Sequence, residues 1–182
     1  RIGIKLPDTV NIMIEEESVV YAVKSSDGQW WMMDSDGRVV EQANNAKAAT
    51  ATQLLGVTLE APAVNQKGIA TEMTPSETNE LGELIPVTTT GAQRLTAALQ
   101  IFKALESNDI VGEAASVDVT STEDIILWYG TRYQVNLGDT SRLDYKIDCM
   151  NDAILQMSDY QSGVLDVSFT IWPNQVGYTP FA

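Results

Sequence analysis

The chain has 182 residues, with 11 basic and 25 acidic side chains, no histidine, one cysteine and a net charge of −14. A chain of this length buries about 70% of its unfolded surface, so it forms a core without disulfides or metals. The acidic balance argues against nucleic acid and anionic lipid as partners, since both need clustered Lys and Arg, and the missing histidine removes the usual general base and the commonest zinc ligand.

Neither a cofactor nor a metal is expected. Cys149 has no partner for an internal disulfide and falls on a predicted helix, where it reads as a small buried hydrophobe; a nucleophile would need a basic neighbour. No apolar run reaches the ~20 residues of a membrane span, and no signal peptide is present. The first residue is Arg1, and the chain reads as a segment of something longer.

In chain order, Val10, Ile12 and Ile14 alternate with polar neighbours as a half-buried strand, after a turn at Pro7-Asp8. Val19 to Val23 is a second strand. Asp27-Gly28 turns it into Trp30 to Met33, and Ser35-Asp-Gly-Arg38 turns that into Val39-Val40, a meander of short strands. Residues 42–53 have no period and read as loop. Leu55 to Leu59 is a strand ended by Ala61-Pro62. Residues 65–83 are polar, acidic and poor in large apolar groups, the composition of a mobile excursion.

Thr90 and Gln93 match a capping box, and Leu95, Ala98, Leu99, Phe102 and Leu105 follow as one apolar helical stripe. Three strands come next, at Val117 and Val119, at Ile125 to Tyr129, and at Tyr133, Val135 and Leu137. The middle one is apolar on both faces and is expected centrally in the sheet. A second helix runs from about Ser141 to Met157, with a narrow seam at Leu143, Ile147, Met150, Ile154 and Met157. Gly163 opens a last long strand with Leu165, Val167 and Phe169 on one face. Runs of strands separated by two main helices predict an α+β domain with a curved, largely antiparallel sheet.

Three patches in this order carry a family resemblance. Leu6-Pro-Asp-Thr-Val-Asn-Ile12 leads through Tyr21-Ala-Val23 to the hairpin Met33-Asp-Ser-Asp-Gly-Arg38. Val135-Asn-Leu-Gly138 leads into a helix carrying Arg142 and Lys146. Val164-Leu-Asp-Val-Ser-Phe169 is followed by Val176-Gly-Tyr178. The order and spacing over most of the chain resemble the extracytoplasmic β domain of the bacterial division proteins FtsQ/DivIB. The resemblance implies that residues 1–16 end a POTRA domain and that 17–182 form the β domain. It also implies a single-pass type II membrane protein, tethered by an N-terminal helix absent from this chain, outside the cytoplasmic membrane at the division septum. Its expected role is a non-enzymatic scaffold that binds FtsB/DivIC- and FtsL-type division proteins.

In that family a partner segment adds a strand to the edge of the sheet, where main-chain bonds supply affinity and side-chain pockets selectivity. The implied partner-binding residues are Leu165, Val167, Ser168, Phe169, Val176, Gly177 and Tyr178. Phe169 stands where the family has a tyrosine, with parity that favours the core as much as the interface. Tyr178 stands where the family has an aromatic and is the better interface candidate, its alternative role being to seal the sheet end. Ser168 replaces a family arginine, and residues 170–175 make a longer connection. Asp118, Thr120 and Glu123 stand where some relatives carry basic residues, which favours a partner with basic groups.

Two other classes compete. A small extracellular hydrolase or carbohydrate-active domain would use acidic pairs such as Asp34/Asp36 or Asp118/Glu123, but no nucleophile motif accompanies them. Asp34 and Asp36 lack the further ligands of a calcium loop and fit a hairpin turn. Glu15 to Glu17 reads as a solvated strand end. A secretion-type POTRA module that binds unfolded polypeptide would need more than the first 16 residues.

Overall fold

The computed structural model describes residues 20–72, 89–171 and 173–181. The strand expected at Val10 to Ile14, the POTRA end at 1–16, the Glu15 to Glu17 run and residues 73–83 of the excursion lie outside them.

Among the described residues nine strands form one open sheet: β1 Tyr21–Ser25, β2 Trp30–Met33, β3 Val39–Ala43, β4 Gln53–Leu59, β5 Ala114–Asp118, β6 Ile125–Tyr129, β7 Tyr133–Gly138, β8 Gly163–Asp166 and β9 Gly177–Pro180. Three helices join them: α1 Asn45–Ala48, α2 Gly91–Ser107 and α3 Leu143–Leu155. The spatial order is β3-β2-β1-β4-β5-β6-β7-β8-β9. The α+β class expected from the sequence is present, but the sheet is mixed rather than largely antiparallel. β1 and β4, β4 and β5, and β7 and β8 run parallel, and the remaining neighbours antiparallel. For two of the three parallel pairs the cause is a helical crossover: α2 joins β4 to β5 and α3 joins β7 to β8, each returning the chain in the same direction, while β1 reaches β4 through β2, β3 and α1.

Both crossovers step the same way along the sheet, so their shared handedness sets α2 and α3 on one face. There Ile101, Phe102, Leu105, Ile147 and Met150 close over Val23, Val117, Leu127, Val135 and Leu165 as a single core. Tyr21 stacks on Phe102 with ring centroids 3.5 Å apart, and its hydroxyl donates to Glu106. The capping box at Thr90 forms as the sequence predicts: Gln93 N–H donates to the Thr90 hydroxyl at 3.1 Å, and Thr90 N–H to the Gln93 side chain at 2.8 Å. One turn on, fully buried Arg94 donates to the carbonyls of Gly56 at 3.0 Å and Thr89 at 2.6 Å, tying the start of α2 to β4.

On the opposite face, among the described residues, a helix covers one end, where α1 packs Ala48 against Ala22, Met32 and Ala43. Asn44 caps α1, in a stretch the sequence leaves as loop because Ala and Asn give it no apolar period. Across β5 to β9 the same face presents the row Ser116, Trp128, Gln134, Val164 and Thr179. Phe181 stacks on Trp128 at 6.1 Å. β6 is central, as expected, and its second apolar face serves this stack rather than a helix. Residues 65–72 are joined to the sheet by bridges from Lys67 to Arg38 and from Ala70 to Leu59.

Candidate functional site

The two ends of the sheet differ. Beside β3, Val39 exchanges backbone hydrogen bonds with Asn65 and Gln66. Beside β9, among the described residues, no strand other than β8 is paired. Among the described residues β9 is therefore the open edge of the sheet.

Its free groups follow from the register. β9 lies antiparallel to β8 with Leu165 opposite Tyr178 and Gly163 opposite Pro180, and Phe181 N–H donates to Ser162 C=O at 3.2 Å. Hydrogen-bonding direction alternates along an antiparallel strand. Gly177, Thr179 and Phe181 thus turn their backbone groups toward β8, while Tyr178 and Pro180 turn theirs outward. Tyr178 offers an N–H and a C=O to an incoming strand; Pro180 offers only a C=O.

The seven residues implied by the family resemblance divide between this edge and the core beneath it. Leu165 and Val167 are fully buried, and the β8 backbone is already paired on both sides. Ser168 closes a turn at the end of β8, where its N–H and hydroxyl both donate to Asp166. Phe169 leaves the strand with φ +59, a left-handed conformation that costs a bulky residue free energy. Its ring lies 5.5 Å from that of Tyr145 instead of continuing the alternation of Leu165 and Val167. Val176 and Tyr178 are half-buried against the core, and the Tyr178 hydroxyl donates to Ser162 C=O at 3.1 Å. Gly177 opens β9 opposite Asp166.

Residues outside that set complete the region. The Arg142 guanidinium lies 5.0 Å from the Tyr145 ring and 5.3 Å from the Phe169 ring, a cation over two aromatic faces. Arg142 itself sits at φ +52 ahead of α3. Nearby the ammonium of the buried Lys146 donates to both the carboxylate and the carbonyl of Asp139 at 2.8 Å. Hydrogen bonds from Lys146 and Ser141 hold the Asp139 carboxyl down at about 2. A cleft of about 600 Å³ between α2 and α3, lined by Lys103, Ser107, Asp139 and Arg142, adjoins the cluster. Gly163 makes the approach of β9 to β8 possible: a Cβ there would meet Tyr178 Cε2 at 2.8 Å and Pro180 Cα at 2.9 Å.

Sequence reasoning passed over Gly163, Tyr145 and Pro180. Pro180 carried a legible signal, because a proline in a strand points to a sheet edge. Tyr145 carried none, since its meeting with Phe169 depends on a backbone turn that no periodicity reports.

The acidic pairs are engaged in turns. Asp34 accepts from Asp36 N–H and Arg38 N–H, and Asp36 pairs with Lys103 at 2.8 Å, which lowers its carboxyl. Asp118 accepts from the N–H and hydroxyl of Thr120. Among the described residues no cluster of His, Cys, Asp and Glu is arranged to hold a metal ion, and no helix is long and apolar enough to cross a membrane. No family model and no curated protein matches the chain.

Proposed function

We propose that this chain is the β domain of an FtsQ/DivIB-type division protein, with the end of the preceding POTRA domain. In this reading it is a non-enzymatic scaffold held outside the cytoplasmic membrane at the division septum by a helix that precedes the segment. It binds FtsB/DivIC- and FtsL-type partners by strand addition along β9. The observation that carries the binding mode is the β9 edge, open among the described residues, with the Tyr178 N–H and C=O turned outward. Support for the family comes from the order and spacing of the hairpin, Val135 to Gly138, Val164 to Phe169 and Val176 to Tyr178 motifs.

The division of labour follows from β-augmentation. An incoming strand satisfies Tyr178 through its own backbone, a contact indifferent to sequence. Selectivity then falls to side chains reaching the Phe169 and Tyr145 rings and the Arg142 guanidinium. The test is binding of a fluorescent peptide from the C-terminal part of the same organism's FtsB/DivIC homologue. Saturable binding by the wild type is expected, weakened about tenfold or more in Phe169→Ala with the circular dichroism spectrum unchanged, since a central interface aromatic is worth about 2 kcal/mol. No binding to the wild type at high micromolar peptide sinks the assignment of the partner. Equal binding by both proteins removes the Phe169 ring from the interface and leaves the β9 backbone to be tested by amide exchange at Tyr178.

A further inference from the structure

The β9 edge is open, yet it is not equally open to every strand. We infer that Pro180 acts as a guard that disfavours pairing of β9 with the β9 of a second copy while leaving the edge usable by a different chain. The inference rests on the reading of β9 as a strand-docking edge only in its second half; the bar to self-pairing stands on the register alone.

Consider two copies meeting edge to edge about a twofold axis. The antiparallel pairing that uses the outward groups best centres on Tyr178, whose N–H and C=O meet those of the other Tyr178. Two residues along, Pro180 of each copy then faces Val176 of the other. Pro180 has no N–H, so the Val176 carbonyl of each copy goes without a donor. The symmetry makes the loss occur twice. A heterologous strand meets only one Pro180 and loses one bond, and if that strand ends there it loses none. A symmetric pair cannot end on one side only, so the proline discriminates by symmetry and not by sequence. A proline on an edge strand removes a donor that a second copy would need, one of the ways sheets avoid edge-to-edge pairing.

Nothing in the packing of β9 asks for a proline. Pro180 is exposed and lies opposite Gly163, and the ring stacked on Trp128 is that of Phe181. A threonine at this position keeps the extended backbone and restores the donor.

The test compares the wild-type chain with Pro180→Thr and Pro180→Ala by sedimentation velocity over a wide concentration range. Amide hydrogen exchange by NMR runs alongside. The wild type is expected to sediment as a monomer, with Tyr178 N–H exchanging fast and Thr179 N–H slowly. Pro180→Thr regains two bonds per dimer, which strengthens self-association on the order of 30-fold. Tyr178 N–H becomes protected as the dimer forms. Pro180→Ala moves the same way to a smaller extent and serves if the threonine variant precipitates. The proposal is overturned if both variants stay monomeric at millimolar concentration, or if the wild type already dimerises with Tyr178 N–H protected. It is equally overturned if the variants associate while Tyr178 N–H stays unprotected. None of these outcomes depends on the partner peptide, so failure here is distinct from failure of the proposed function.

Discussion

Three aspartates at one end of the sheet do the same local work. Asp118, Asp139 and Asp166 each stand two residues before a Thr or Ser and accept both its N–H and its hydroxyl, at 2.6 to 3.0 Å. Such turns offer the backbone a partner where the ladder stops, so part of the acidic excess ends strands. Asp139 adds the buried Lys146, and its carboxyl is lowered from the ordinary 3.8 to about 2. A carboxyl depressed on folding contributes stability that is complete above the unfolded value and lost as pH falls through the folded one. Asp139→Asn is therefore expected to lower the urea midpoint at neutral pH, and the gap from wild type should close between about pH 4 and pH 2. A gap that stays constant over that window would mean that the Lys146 pair does not stabilise the fold through its charge.

At the scale of elements, the sequence located most strands and both long helices but misjudged their pairing. The period-2 and period-3.6 patterns reported which residues face the core, and Leu95, Phe102, Ile147, Val135 and Leu165 all lie there. Strand direction is not written in those patterns. It was legible instead in the alternation β4–α2–β5 and β7–α3–β8, because a helix bridging neighbouring strands makes them parallel. The short α1 was hidden by its length, since one turn capped by Asn44 shows no period. At the candidate site the alternation holds through Leu165 and Val167 and breaks after them, where Ser168 closes a turn on Asp166 and Phe169 takes a left-handed conformation. The seam between β8 and β9 gives a direct prediction at this scale. Gly163→Val forces β9 away, because its Cβ would lie 2.9 Å from Pro180 Cα. A cost of about 1–3 kcal/mol in denaturant unfolding is expected from overpacking. Amide exchange should quicken at Thr179 and Phe181 and stay unchanged in β1 to β7. Uniform loss of protection would show that β9 does not detach as a unit.

For the whole molecule, the account is one of asymmetry between the two ends of a mixed sheet. The β3 end is joined by Asn65 and Gln66, and the opposite face there is sealed by α1. Among the described residues the β9 end stays open, and the turn after the neighbouring β8 sets Phe169 against Tyr145 and Arg142. A net charge of −14 keeps such an edge from indiscriminate association and favours an incoming strand with basic flanks. The scaffold reading makes the backbone of β9, and not any catalytic group, the element that does the work. The measurement that tests this most directly is amide exchange of the wild-type chain, with and without the FtsB/DivIC-type peptide. The account predicts that Tyr178 N–H alone in β9 passes from fast exchange to strong protection on saturation, while Gly177 and Thr179 change little. Saturable binding that leaves Tyr178 N–H in fast exchange would contradict strand addition at this edge.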